Sequence, residues 1–567
     1  MRTKRVLRIT AVVTAITSIA ALALSTAPFA QSPQMPWRSP AMGNHGAVTA
    51  GHPLAAQAGL DVLRTAGNAV DAAVAMAGVL SVVRPHMNGI GGDTFMLIYR
   101  ARDRRVYGLN GSGRAGSRTS ADALRRRGLQ QVPSSGLEAA TVPGTVSAWA
   151  AATSRFGTRP LSSLLDPAIQ LAFGGFPVSL KLHRDLLDAR ALIGRSPALS
   201  QVFMPEDRVV EIGDLLVQTR LGESLRQVAS SEGEALYRGE LAGRLARFFS
   251  SQGGAITADD LAAHTSEWVE PISTSYRGLE VLTLPPNTQG IALLIMLNIF
   301  EQFDVDRMTP FNADYLHLLI EAKKLAFADR DEHVADPVGY DAPVDSLLSK
   351  VYAAARARLI DPATAARGFA PGQPRRPNDD TVVCAAADIH GNVVVVMQSL
   401  HSLFGSGVVA GETGIILQNR GSLFTLERGH PNELAPGRRP YHALCPSLVL
   451  KDGVPVLALA TPGGDGQVQT LVQVINNWHL FGMDIQSAVE APRFRSYDGL
   501  DVSLEEPVGP ELIDTLENRG HRLRLYRTGQ RPEFGGVQAI LILRSEPASP
   551  IFMAGADPRR EAVALAW

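Results

Sequence analysis

Apolar residues recur at helical spacing from Ala55 to Val83, and Gly67-Asn68 interrupts them, so one helix is predicted to end and a second to start there. Gly89-Ile90-Gly91-Gly92-Asp93 reads as a tight turn ahead of the apolar run Phe95 to Tyr99. It is not a dinucleotide fingerprint, because the G-x-G-x-x-G spacing is absent and a strand follows. Pro160 to Phe249 is mostly helical in pattern, and Tyr315 to Asp331 predicts an amphipathic helix with Leu316, Leu319, Ile320, Lys323 and Phe327 at helical spacing. The pattern breaks at Ala366 to Asp380, where Gly368, Pro371, Gly372, Pro374 and Pro377 predict an exposed irregular segment. Immediately after it, Thr381 to Ala387 and Val393 to Met397 predict a hairpin turning at Asp388 to Asn392, apolar on both faces. A second hairpin is predicted at Leu448 to Leu459 around Lys451-Asp452-Gly453, then a helix from Val468 to Leu480 and a strand from Val537 to Leu543. Strands buried on both faces need a covering layer on each, so the expected fold is α/β (α+β), with helix layers around sheets.

The N-terminus stands apart. Arg2, Lys4, Arg5 and Arg8 precede an apolar stretch from Ile9 to about Leu24, and small residues follow up to Ala30. Residues 1–30 therefore read as a secretory signal peptide, which places the protein in a secreted or periplasmic setting with no membrane partner after removal. A net charge of −1 gives no reason to expect a nucleic-acid partner, and Arg125-Arg126-Arg127 reads as a solvated helix face. Cys384 and Cys445 sit in apolar surroundings and are expected as buried free thiols. Without CxxC, HExxH or a clustered His/Asp spacing, neither a metal nor a cofactor is predicted.

Two places carry chemistry. The irregular segment ends in Asn378-Asp379-Asp380, and Thr381 opens the buried strand. Scission before Thr381 would give one residue both a hydroxyl and a free amine, whose ordinary pKa of about 7.7–8.0 suits it to act as a base. A hydroxyl beside its own base is an activated nucleophile. Taken alone, Thr381 reads first as a β-branched residue starting a strand. The second place is Thr461-Pro462-Gly463-Gly464-Asp465-Gly466, between a strand and a helix. Its glycines can turn backbone N–H groups toward one point, as an oxyanion site requires, although an ordinary turn has the same look.

Many motifs in one order then point to a family. Asp380-Thr381, the Gly391-Asn392 turn, Phe404-Gly405-Ser406-Gly407, Thr413-Gly414-Ile415, Thr461-Pro462-Gly463-Gly464 and Ala491-Pro492-Arg493-Phe494 follow one another as in the γ-glutamyltransferase family. Upstream, His52-Pro53-Leu54-Ala55, Gly67-Asn68-Ala69-Val70-Asp71-Ala72, Asn88 to Gly92, Val142-Pro143-Gly144, Tyr237-Arg238-Gly239 and the loop Pro285 to Gly290 also resemble it. The resemblance implies a four-layer αββα sandwich of the N-terminal nucleophile hydrolase type. It implies a precursor with a large subunit, 31–380, and a small catalytic subunit, 381–567. Thr381 would attack the carbonyl of Asp380, Gly463 and Gly464 would hold the oxyanion, and Ser399 would stand where the family has a threonine bonded to the nucleophile. The partners implied are the two subunits and a small amide substrate, and a homo-oligomer is compatible.

The head-group positions differ from those of γ-glutamyl enzymes. Ser112 stands at the family's arginine position, with Arg114 two residues later, and His442-Ala443 replaces a serine pair. Leu423 and His401 stand at the aspartate and asparagine positions that hold the α-amine. A zwitterionic head needs both a cation and an anion partner, and losing the aspartate removes the anion. Arg420, His442, Arg114 and His401 remain as candidates for an anionic or acceptor-rich group. The pattern resembles the divergent branch containing oxamate amidohydrolase and cephalosporin acylases, and it implies hydrolysis of small anionic amides. A true glutathione hydrolase and a non-catalytic secreted binding protein of the same fold are the competing expectations.

Overall fold

The computed structural model describes residues 38–305, 308–369, 380–530, 534–544 and 550–567. The signal-peptide reading at 1–30 and most of the irregular segment before Thr381 lie outside the described residues. Two seven-stranded antiparallel sheets dominate. The first contains β2 (Gly46–Ala50), β3 (Asp93–Arg100), β4 (Arg105–Gly111), β8 (Asp380–Asp388) and β9 (Val393–His401), edged by β5 (Glu267–Val269) and β14 (Val563–Ala566). The second contains β1 (Ala41–Gly43), β6 (Ile272–Tyr276), β7 (Leu279–Thr283), β10 (Ser447–Lys451), β11 (Val454–Ala460), β12 (Gln538–Arg544) and β13 (Ile551–Ala556).

Side-chain alternation builds the layers. Phe95, Val383, Val395 and Met397 from one sheet meet Leu448, Ala458, Ile540 and Phe552 from the other in a shared core. The alternate residues Val382, Cys384, Val394 and Val396 pack outward on helices α1 (Pro53–Arg64), α2 (Ala69–Val83), α3 (Thr145–Phe156) and α4 (Leu161–Gly174). On the far side Val449, Leu457, Leu459 and Val537 pack on α5 (Gly290–Phe300), α6 (Ala313–His333), α7 (Gly466–His479) and α8 (Ile485–Glu490). The result is the expected αββα sandwich. Both cysteines are free and buried, and burial pushes the Cys445 thiol up to about 11.

The predicted stop and restart is sharp. Asn68 caps α2 in a capping box with Asp71, and the Asp388 carboxylate from the hairpin turn also accepts the Ala69 amide at 2.9 Å. That bond ties the far end of the β8–β9 hairpin to a wholly buried helix. Asp452 and Gly453 turn the second hairpin with positive φ of 53° and 75°. The amphipathic expectation for α6 is corrected: every residue from Tyr315 to Arg330 is buried. A small sheet and the helix Pro510–Asn518 cover its polar side. Pairs such as Lys324–Glu321 and Arg356–Asp329 satisfy the charges there.

Candidate active site

Thr381 lies where the ladder slips. Val382 pairs with Gln398 and Asp380 with His401, so a register shift falls at Thr381. Such irregularities re-aim a side chain at the end of a strand. By alternation Thr381, Ser399 and Asp93 share the face that carries Val383, Met397 and Phe95 deeper in the sandwich. The inter-sheet core thus turns from apolar to polar at this end, and all three residues are buried there.

Thr381 Oγ1 is 3.3 Å from Ser399 Oγ. The Ser399 hydroxyl also accepts the His401 amide at 2.8 Å and Arg420 Nη2 at 3.1 Å. Arg420 Nη1 is 3.3 Å from His401 Nδ1, and its Nε is 3.9 Å from Asp93 Oδ2. His401 holds a strained φ of 81°, and it sits where Arg420 needs it. Asp93 Oδ1 accepts the Gly113 amide at 2.9 Å, and Oδ2 lies 3.2 Å from His442 Nε2. Burial raises the Asp93 carboxyl to about 7, against the opposing pull of Arg420, the Gly113 amide and Arg439. Burial and the neighbouring Arg420 and His401 hold His442 well below its usual range, so it is neutral.

The glycine turn explains how these strands come so close. A Cβ on Gly92 would lie 2.4 Å from the Ser399 carbonyl oxygen, and one on Gly91 would lie 2.1 Å from that of Ile416. Asp93 ends this turn, and sequence reasoning gave it no role. Its only sequence signal was an aspartate closing a glycine turn.

Gly463 and Gly464 lie between β11 and α7 with positive φ of 117° and 54°. Among the described residues, none accepts a hydrogen bond from either amide. Their carbonyls accept the Gly466 and Gln467 amides at 2.9 and 3.0 Å and are held from outside as well. Arg495 Nη1 donates to Gly463 O at 3.1 Å and Gln289 Nε2 to Gly464 O at 3.0 Å. Gln289 in turn bonds the segment Tyr441 to Ala443. A continuous path therefore runs from Thr381 through Ser399, Arg420, Asp93, His442 and Gln289 to the glycine loop.

Arg114 is placed differently. It pairs with Glu267 at 2.8 Å and Asp336 at 3.5 Å and donates to the Gly437 carbonyl. The buried Arg439 links the same Glu267 to the Ser112 carbonyl, so Arg114 borders the cluster rather than joining it. The Ser112 hydroxyl accepts Asn287 Nδ2, and Leu423 is core. Among the described residues, His317, Glu321 and His521 form a group spaced to approach a cation. Several of its atoms already hold other partners. His317 Nε2 is 2.8 Å from the Asp361 carbonyl, its Nδ1 is 2.8 Å from His521 Nε2, and Lys324 Nζ is 2.6 Å from Glu321. The trio acts as a clasp on the chain just ahead of the irregular segment.

Facing antiparallel sheets between helical layers, with this buried polar cluster at the sandwich end, define a hydrolase of the N-terminal nucleophile class. The chain belongs to the γ-glutamyltranspeptidase family, whose profile matches residues 55–567. It is 37% identical over 534 residues to the glutathione hydrolase-like YwrD proenzyme of Bacillus subtilis, covering 92% of this chain and 99% of that one. It is 35% identical over 499 residues to the oxamate amidohydrolase proenzyme of Klebsiella pneumoniae, covering 85% and 91%. The crystal structure of cephalosporin acylase from Bacillus halodurans superposes with a TM-score of 0.87 at 37% identity, covering 96% of this chain and 99% of that one.

Proposed function

We propose that the chain is a self-cleaving proenzyme that hydrolyses small anionic amides with Thr381 as nucleophile. The observation that carries this is the Thr381–Ser399–Arg420 contact at the start of a buried strand. In maturation, Thr381 Oγ adds to the Asp380 carbonyl, the C–N bond breaks as an ester forms, and water hydrolyses the ester. The products are a large subunit, 31–380, and a small subunit, 381–567, with a new amine on Thr381. The proenzyme names of the relatives support this order. The basic, apolar start of the chain supports export, to the periplasm or beyond.

In turnover the Thr381 amine takes the hydroxyl proton as Oγ attacks the substrate carbonyl. In the uncut chain the Thr381 hydroxyl donates to Ser399 Oγ, which holds Thr381 Oγ1 in place beside Arg420. After scission the new amine offers that proton a stronger acceptor. The Gly463 and Gly464 amides stabilise the oxyanion. The amine then gives its proton to the leaving group, and water frees the acyl chain. Arg420, with His401 and His442 beside it, supplies donors to a carboxylate on the acyl part, a grouping that the oxamate relative's substrate also carries.

Purified protein is expected to run as two fragments, the smaller starting Thr-Val-Val-Cys. On a panel of γ-glutamyl, glutaryl and oxamate amides, a small anionic amide without an α-amine should lead. Uncut protein with full amide turnover would refute the reading. Arg420→Met should raise KM for an anionic amide by about 10–100-fold, the worth of one charge-assisted hydrogen bond. A neutral amide should lose far less, and equal losses on both would remove Arg420 from substrate binding.

A further inference from the structure

We infer that Gln289 is the positioning residue of the oxyanion loop, an inference that rests on the reading of Gly463 and Gly464 just given. Gln289 is fully buried at the start of α5. Its Nε2 donates to the Ala443 carbonyl at 2.6 Å and the Gly464 carbonyl at 3.0 Å. Its Oε1 accepts Tyr441 Oη at 2.9 Å and Arg330 Nη1 at 3.0 Å. The chemistry of the partners fixes the amide's orientation, since two carbonyls only accept and a guanidinium only donates. Its backbone amide donates to the His442 carbonyl at 2.8 Å. Every bonding direction of the side chain is used.

The loop needs such a brace. Two consecutive glycines of positive φ are held locally by the Gly466 and Gln467 amides of the helix start, at 2.9 and 3.0 Å, and those bonds do not fix the loop relative to the Thr381 strand. In a trans peptide the N–H points away from the preceding C=O, so fixing the carbonyl aims the amide. Arg495 fixes the plane that carries the Gly464 N–H. Gln289 fixes the next plane and locks it to the His442 segment, which bonds Asp93 on the nucleophile side. Arg330 and Tyr441 also hold Asp465, the residue after the loop, at 2.9 and 3.2 Å. Gln289 thus sets the distance between oxyanion donors and nucleophile without touching substrate.

Gln289→Met keeps the length and removes both polar ends. It should still mature into two fragments, with kcat lowered about 30–100-fold, the scale of a small misplacement of the donors. KM should stay within about threefold, because the loss falls on the transition state. Gln289→Glu sets a carboxylate against two carbonyls, with Arg330, Asp465 and Tyr441 around it. Protonation restores one donor, so its rate relative to wild type should climb as pH falls. A structural scaffold alone would not give that slope. A Gln289→Met kcat within threefold of wild type would overturn the inference, as would a flat ratio for Gln289→Glu. Folded but uncut variants would also overturn it, by assigning Gln289 to scission instead. Wild type left uncut before Thr381 would remove the parent reading and is seen on the same gel.

Discussion

Thr381→Ala is expected to remain one chain and to lose amide turnover by at least about 10⁴-fold, the usual cost of removing a covalent nucleophile. Without Oγ no ester can form with the Asp380 carbonyl, so no new amine appears and the base is lost with the nucleophile. The variant should fold, because a methyl group fits the site at the strand's start and the hairpin is held by the Asp388–α2 bond. It also separates self-cleavage from an outside protease. The segment before Thr381 is rich in proline and glycine, and its sequence is unchanged in the variant, so an outside protease would still find its target. Mass spectrometry of Thr381→Ala showing the same cut would end the self-cleavage assignment. Thr381→Ser keeps the hydroxyl and should mature.

The hairpin around Asp388 to Asn392 and the flanking helices were legible in the sequence, because strands buried on both faces give unbroken apolar runs. The glycine loop was legible as a turn for the same local reason. Helix α6 was misread as half-exposed because its covering elements come from residues nearly two hundred positions later. Distance in sequence hid Asp93 and Gln289 as well. Asp93 meets Arg420 and His442 only after β3 pairs with β9. Gln289 lies in the recognised loop Pro285 to Gly290, but nothing in that loop's composition says that its amide reaches Gly464. Arg114 illustrates the opposite error of position. It is two residues from the family's arginine position, and that offset points it at Glu267 and Asp336.

Asp93→Asn is expected to cost activity while sparing stability. Asparagine can still accept the Gly113 amide through Oδ1, and its Nδ2 can donate to His442 Nε2 when the neutral ring carries its proton on Nδ1, so the geometry survives. The charge opposite Arg420 is lost, and with it the force that aims the guanidinium at Ser399 and at substrate. kcat/KM should fall about 10²–10³-fold, as when a fixed charge in a dry site is removed. The stability effect has the other sign. Burial raises Asp93 from 3.8 to about 7, so between those values the folded protein holds a proton that the unfolded chain has released. Wild-type stability therefore falls as pH rises through that window and levels off above it. Asparagine mimics the protonated form and removes this slope. The two proteins should be close in denaturant stability near pH 4, and the variant should lead near pH 8, by at most about 4 kcal/mol. A carboxylate kept in the core at a cost to the fold points to a task in the polar cluster. Equal activity for wild type and Asp93→Asn across pH 6–9 would deny that the charge is used.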